Sequence, residues 1–88
     1  MPNRFAIGKN TVATPAAIKA CHRAGTDALA LTARHHAGDW GTADAEANEA
    51  GLDGSDMLIS IFDAGGVEVW VVTEQDRSAT TVCLPSER

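Results

Sequence analysis

The segment RHHAGDWG, residues 34–41, holds the densest set of side chains that could do chemistry in this 88-residue chain. Histidine exchanges protons near neutral pH and binds metal ions. His35 and His36 are adjacent, so on a helix they point about 100° apart and do not share one metal ion. His35 and Asp39 have the i, i+4 spacing of helical zinc sites, but Gly38 interrupts the helix between them. We therefore predict no metal and no other cofactor.

The same segment also has a purely structural interpretation. Gly38 would end one helix, and Asp39 would accept backbone N–H groups around the start of the next. Trp40 would cover a core that is poor in large side chains. In that case Trp40 is largely buried, and its loss destabilises the fold.

A second polar cluster, TEQDRSATT at residues 73–81, lies between two predicted strands. If it meets the first cluster, His35, Glu74 and Arg77 would supply a base, an acid and a cation for phosphate, as metal-free RNA cleavage requires. The structural alternative is a loop in which Asp76 and Ser78 bond their own backbone and Arg77 pairs with a carboxylate.

The composition is acidic, with a formal net charge of −5 and a sequence pI of about 4.9. Nucleic-acid-binding domains usually carry a basic face, so we expect no direct nucleic-acid binding and instead a basic protein partner. The densest acidic run is the candidate binding surface, although such runs are often only solvated. We expect its members to be exposed and to matter little to folding. The candidate binding residues are Asp44, Glu46, Glu49, Asp53 and Asp56, with Arg34, Asp76 and Arg77 as a second group.

The elements that position these residues follow from local signals. Thr14-Pro15 and Gly25 delimit a helix from about residue 15 to 24. Thr26 or Asp27 caps a second helix that ends at Gly38. Thr42 is predicted to cap a third helix, which Gly51 ends.

The pattern then changes to alternation, which predicts three antiparallel strands at 57–62, 67–72 and 80–85. Met57, Ile59 and Ile61 share one face of the first strand, and residues 63–66 form a hairpin turn. A short strand or hairpin is predicted near residues 4–13. The expected fold is one α+β domain over 1–88: a short N-terminal strand or hairpin, three short helices, and a three-stranded antiparallel β-meander packed on the helices.

Cys21 and Cys83 form no paired-cysteine motif, which favours reduced thiols and a cytoplasmic location. The chain has no long apolar run, and its first residues lack the apolar core of a signal peptide, so we expect no membrane association.

Several motifs together resemble a family of small, uncharacterised bacterial proteins carried on plasmids, prophages and other mobile elements. The family pattern runs V-A-T-P-x-A, R-H-x-x-G-D-W-G, N-E-x-A-L and W-I-x-T-E-A-D-R-S-x-T-T-x-L-L-P. Gln75 and Cys83 depart from it, and the N-E-x-A-L segment is shifted. Family members are sometimes labelled as related to restriction systems. The matching positions are Val12 to Pro15, Arg34, His35, Gly38 to Gly41, Asn48, Glu49, Trp70, Thr73, Glu74, Asp76 to Ser78, Thr80, Thr81, Leu84 and Pro85.

The resemblance implies a mobile-element origin. Together with the small size and acidic charge, it favours a non-enzymatic inhibitor of a host defence system, either restriction or CRISPR. Such a protein would occupy a basic surface that normally binds nucleic acid. The alternatives are a small metal-free ribonuclease or toxin of barnase-like or RelE-like layout, and a structural subunit or homodimer.

Overall fold

The computed structural model describes residues 3–5 and 10–88 and has the expected α+β organisation with three helices. The predicted N-terminal strand is present from residue 10 onward, and residues 6–9 of the predicted hairpin lie outside the described residues. No helix among the described residues is long and apolar enough to cross a membrane. In chain order the elements are β1 (Asn10–Ala13), α1 (Pro15–Arg23), α2 (Ala28–His36), α3 (Ala45–Gly51), β2 (Leu58–Ala64), β3 (Val67–Thr73), β4 (Ala79–Cys83) and a 3₁₀ turn, η1 (Pro85–Glu87).

The sheet has four strands in the order β1-β4-β3-β2 and is mixed. The antiparallel β2-β3-β4 meander is confirmed, with Ser60 opposite Val71 and Val71 opposite Val82. The prediction of a purely antiparallel, three-stranded sheet is wrong, because the N-terminal strand β1 joins it in parallel at the outer edge of β4. Strand β1 has four residues and is mostly exposed, so it lacks the alternation that identifies a sheet strand from sequence. The three helices and the β2-β3 hairpin lie between β1 and β4 in the chain and provide the long connection that a parallel pair needs.

Two of the three predicted helix caps are confirmed. Thr14 Oγ1 accepts from the Ala17 N–H at 3.2 Å, and Asp27 Oδ1 accepts from the Ala30 N–H at 2.7 Å. The third cap is Asp44 rather than Thr42. Thr42 is used at the sheet edge instead, where its N–H and its hydroxyl both donate to the Ile61 carbonyl in β2, at 2.9 and 3.4 Å.

The hairpin between β2 and β3 is tighter than predicted, because Asp63 and Ala64 of the expected turn belong to β2. Gly65 and Gly66 form a two-residue loop with φ of 62° and 89°. Two successive positive φ values are those of a type I′ turn, whose twist matches the flanking strands. This loop fixes the β2–β3 register and therefore which side chains face the helices.

The core lies between the sheet and helices α1 and α2. Small helix residues permit close approach: Ala17, Ala20 and Cys21 on α1 lie in one buried cluster with Leu31 on α2. The sheet contributes Phe62, Ala64, Val69, Val71 and Val82 to this cluster. In β2 the even-numbered residues therefore face the helices, and Met57, Ile59 and Ile61 lie on the opposite face, called the open face below.

Strand β2 is a sheet edge, but its outer backbone groups are occupied. The Asn48 side-chain amide donates to the Ile59 carbonyl at 2.7 Å and accepts from the Ile59 N–H at 2.9 Å. Two residues further on, the Ile61 N–H donates to the Trp40 carbonyl at 3.1 Å. Gly41 lies so close to this strand, at φ 62°, that a Cβ there would meet the Ile61 carbonyl oxygen. The segment 38–42 and Asn48 thus close an edge that could otherwise pair with another chain.

Candidate functional site

His35 lies at the centre of a buried chain of hydroxyl groups between α2 and the sheet. Its Nδ1 is 2.6 Å from Ser60 Oγ, and its Nε2 is 2.8 Å from Thr73 Oγ1. Thr73 Oγ1 is in turn 2.8 Å from Thr80 Oγ1. His35, Ser60 and Thr73 have no exposed surface, and Thr80 has almost none. The imidazole therefore joins α2 to β2 and β3, and Thr73 extends the network to β4.

The direction of these hydrogen bonds follows from one carbonyl group. Ser60 donates its single hydroxyl hydrogen to the Asp39 carbonyl at 2.9 Å. It must then accept from His35, so Nδ1 carries the proton and Nε2 is an acceptor. Thr73 donates to Nε2, and its oxygen accepts from Thr80. Every polar atom of the imidazole is consequently satisfied by a neutral partner, which is the requirement for burying it.

The environment keeps His35 uncharged. Burial, reinforced by the nearby charges of His36 and Arg77, lowers the pKa of His35 from 6.5 to about 3. Burial also lowers the pKa of His36. A general base needs a pKa near the working pH and access to the proton that it removes. His35 has neither, so the geometry gives it a structural role.

An aromatic cluster surrounds this network. The Phe5 ring is stacked on Trp40 with centroids 6.1 Å apart, and it contacts both His35 and His36 at 5.2 and 5.1 Å. Trp40 is only 5% exposed, which confirms the predicted burial. Its indole Nε1 donates to Glu49 Oε2 at 2.8 Å.

Glu49 connects the N-terminal residues to this cluster. Its carboxylate receives two hydrogen bonds from the Arg4 guanidinium at 2.6 and 2.7 Å in addition to the one from Trp40. The hydrogen bonds from Arg4 and Trp40 hold the pKa of Glu49 below its ordinary value. Glu49 belongs to the predicted acidic surface, but the expectation that it matters little to folding does not fit these contacts.

An ion pair spans the C-terminal end of α2. Arg34 lies in the last turn of the helix and Asp39 in the segment after it, and Arg34 Nε is 2.8 Å from Asp39 Oδ2. The Arg34 guanidinium also lies over the Phe62 ring, 4.4 Å from its centroid. Asp39 Oδ1 accepts from the Gly41 N–H at 3.0 Å, whereas the start of α3 is capped by Asp44. Both charged side chains thus stabilise the turn that covers β2.

The predicted polar loop is built around Arg77, which has φ 63°. Its guanidinium donates to the carbonyls of Gly51 at 2.6 Å, Asp56 at 2.7 Å and Glu74 at 3.2 Å. The predicted pairing with a carboxylate is therefore wrong: Arg77 instead supplies donors to carbonyls at the end of α3 and in the loop after it. Its guanidinium lies 5.9 Å from the centroid of the Phe5 ring.

The other residues of that loop have local partners. Asp76 Oδ1 accepts from the Ser78 N–H, which agrees with the predicted backbone contact, whereas the Ser78 hydroxyl donates to the same Asp76 oxygen rather than to the backbone. Glu74 pairs with Arg88 at 3.3 Å. The structure therefore does not assemble His35, Glu74 and Arg77 into an accessible catalytic set.

The members of the predicted acidic run are all exposed, and they differ in their local partners. Asp44 caps α3, Glu46 is exposed on that helix, and Glu49 binds Arg4 and Trp40. Asp53 accepts from the Ser55 N–H in the following loop, and Asp56 accepts from the Met57 N–H.

The open face of the sheet carries a groove that the sequence did not indicate. We call it the β2 groove. It has a volume of about 380 Å³ and lies between α3 and the β2 and β3 strands. Half-buried Met57, Ile59, Ile61 and Trp70 form its apolar part, and Asp44 and Asp56 lie at its border. The alternation in β2 places Ile59 and Ile61 on one face, but it does not tell which face remains uncovered.

Metal and thiol chemistry have little support in the described ranges 3–5 and 10–88. No group of three or more His, Cys, Asp or Glu side chains there is arranged to hold a metal ion. Cys21 and Cys83 are both free and buried, and burial raises the pKa of each thiol. A thiolate nucleophile needs the opposite shift.

Comparisons with protein-family models, curated proteins and solved structures give no match to this chain.

Proposed function

We propose that this chain is a small acidic interaction protein encoded by a mobile element. It acts in the cytoplasm by covering a basic, nucleic-acid-binding surface of a host defence complex of the restriction or CRISPR type. The proposal combines the family resemblance and small size of the chain with the charge distribution on the fold.

The distribution of carboxylates is the observation that carries this proposal. The chain has twelve, of which three, Asp39, Glu49 and Glu74, are ion-paired among the described residues. All of the other nine are exposed: Asp27, Asp44, Glu46, Asp53, Asp56, Asp63, Glu68, Asp76 and Glu87. Exposed carboxylates of this number create a negative field that attracts a basic surface and competes with phosphate groups.

The cations are distributed differently. Among the described residues, Arg4, Arg34 and Arg88 are bound to carboxylates, and Arg77 is bound to backbone carbonyls. Within residues 3–5 and 10–88, the exposed cations outside these contacts are Lys19 and Arg23, both on α1. Most of the surface therefore repels nucleic acid. This distribution favours a protein partner over direct RNA binding and weighs against the ribonuclease alternative.

The proposal is tested by phage plating on a host with one active restriction or CRISPR system, with and without this chain expressed. Inhibition of the defence complex should raise the plating efficiency at least tenfold. Purified chain should also prevent the complex from binding its DNA, and the inhibition should weaken as salt increases from 0.1 to 1 M, because screening shortens to roughly 3 Å at 1 M. Unchanged plating across a panel of such hosts, with the chain present and folded, would contradict the proposal.

A further inference from the structure

The β2 groove is open because the C-terminal turn covers only the other part of the same sheet face. Turn η1 packs against β3, and Val72 and Cys83, which lie on the open face, are fully buried. Ile61 and Trp70, directly opposite each other on β2 and β3, are only half-buried. An apolar strip thus remains on a face that α1 and α2 do not cover and that α3 borders on one side.

The border of this strip is acidic. Asp44 and Asp56 line the β2 groove, and Asp63 and Glu68 line a second depression that shares Ile61 with it. No Lys or Arg of the described part of the chain lines either depression. Asp44, Asp56 and Asp63 each use Oδ1 to accept a backbone N–H, so their positions are fixed.

The groove is also preformed. Ile59 is held by both atoms of the Asn48 amide, and the Ile61 backbone is held by the Trp40 carbonyl and the Thr42 N–H. The Trp70 indole donates to Glu68 Oε1 at 2.7 Å, which orients its ring. Binding to a preformed surface costs little ordering entropy.

We propose that the β2 groove binds a segment of the partner that carries an apolar anchor flanked by Lys or Arg. The anchor would pack on Ile59, Ile61 and Trp70, and its cations would face the four carboxylates at the border. A second copy of this chain fits less well, because a twofold contact here would bring the same carboxylates together. This inference rests on the proposed function and assigns it a location.

The test uses three synthetic peptides on the intact ¹⁵N-labelled chain: leucine alternating with lysine, leucine alternating with glutamate, and serine alternating with lysine. The two indole N–H signals are separate reporters, since Trp40 is buried and Trp70 lines the groove. The Leu/Lys peptide should shift the Trp70 indole and the Ile59 and Ile61 amides while leaving the Trp40 indole in place. The Leu/Glu peptide should not bind, and the Ser/Lys peptide should bind at least tenfold more weakly.

Two triple variants with the same change in net charge distinguish the effect of carboxylates at the groove from the effect of total charge. Asp44→Asn, Asp56→Asn and Asp63→Asn together remove three charges at the groove, and Asp27→Asn, Asp53→Asn and Asp76→Asn remove three elsewhere. Asparagine keeps the acceptor that each aspartate offers to a backbone or hydroxyl donor. The groove set should weaken Leu/Lys binding at least tenfold, and the other set should weaken it no more than threefold. Trp70→Ala should also cost at least tenfold, as removal of a central aromatic anchor does, whereas Leu29→Ala, at a distant residue that is 77% exposed, should cost nothing.

Each contrary outcome has a distinct meaning. Equal weakening by the two charge sets, or shifts confined to residues outside the groove, would overturn the groove and leave the proposed function standing. Absence of binding by both cationic peptides would overturn the groove and weaken the proposed function as well. If the Trp70 signal shifts with protein concentration alone, a second copy occupies the groove and the inference is wrong.

Discussion

Thr73 Oγ1 lies 2.8 Å from Nε2 of His35 and donates to it, so the histidine that the sequence presents as a base is a buried acceptor that joins α2 to β3. Protonation of Nε2 would place a donor against this donor in a site without exposed surface. The same contact that removes His35 from catalysis therefore makes the fold sensitive to acid.

We predict that the free energy of unfolding decreases as pH falls from about 6.5 to about 3. The folded-state pKa of His35 is depressed to about 3, so within this window the unfolded chain binds the extra proton and acid favours it. The contribution of His35 is complete above pH 6.5 and is lost at up to ~1.4 kcal/mol per pH unit below it. Burial of His36 acts in the same direction.

Urea denaturation of His35→Gln across this range isolates the effect, because glutamine offers a donor and an acceptor but does not titrate. Its pH slope should be smaller than that of the wild type by close to one proton. Identical slopes for the wild type and His35→Gln would show that burial does not hold His35 neutral in the fold.

Trp40→Ala should reduce the free energy of unfolding by about 3–5 kcal/mol, as loss of a buried aromatic ring does. The change removes the stacking on Phe5 and leaves the Glu49 carboxylate without its indole donor. Trp70→Ala is the control and should cost clearly less, because Trp70 is half-buried on the open face. Chemical denaturation measures both, and a cost below about 0.5 kcal/mol for Trp40→Ala would place its ring outside the core.

Glu49→Lys and Glu46→Lys should differ although both residues are exposed on α3. Glu49→Lys removes the acceptor of the Trp40 N–H and brings a cation to Arg4, so this variant should unfold at a lower temperature than the wild type. Glu46 has no side-chain hydrogen bond to another described residue, so its reversal should stay within about 0.5 kcal/mol. Thermal unfolding of the two variants compares them at equal net charge, and equal melting temperatures would contradict the role given to Glu49.

Asn48→Ala should expose the edge of β2. The variant leaves the Ile59 N–H and carbonyl without their partners, at an expected cost of about 1–3 kcal/mol. Hydrogen exchange at the Ile59 amide should accelerate more than exchange at the Val71 amide in the middle of the sheet. Asn10→Ala, on exposed β1, should change neither rate. Unaltered protection at Ile59 would show that another group closes this edge.

Much of the fold could be predicted because local signals determine it. Thr14, Asp27 and the Gly65–Gly66 turn interact with neighbours in sequence, so the helix starts and the hairpin can be predicted without knowledge of the fold. The sequence predicts a short N-terminal strand but not its place in the sheet. The parallel partner of β1, strand β4, is distant in sequence, and the four residues of β1 show no alternation. The predicted cap of α3 is wrong because Thr42 and Asp44 are both residue types that cap helices. The contact of Thr42 with the edge of β2, which is distant in sequence, leaves Asp44 as the cap.

The candidate site was harder to predict for a physical reason. His35, Ser60, Thr73 and Thr80 are ordinary polar residues whose spacing shows no motif, and only the fold turns them into one buried network. The β2 groove depends on what the C-terminal turn leaves uncovered, and the alternation of β2 does not contain that information.

The ribonuclease alternative leads to the last prediction: the purified chain should leave RNA intact between pH 5 and 8. Throughout that range His35 is neutral, both of its nitrogens are occupied, and no described surface gives a phosphate access to it.

His35→Ala is a poor test because it opens a cavity and leaves Ser60 and Thr73 unpaired. Glu74→Ala is better, since it removes only a surface ion pair with Arg88, worth about 0–1 kcal/mol, and the fold should persist. Cleavage by the wild type that disappears in Glu74→Ala would restore the enzyme interpretation, and cleavage that persists would indicate a contaminant or a site elsewhere. Intact RNA with both proteins is the expected result, because His35 joins α2 to the sheet, Arg77 binds backbone carbonyls, and Glu74 is left without either partner of the proposed catalytic set.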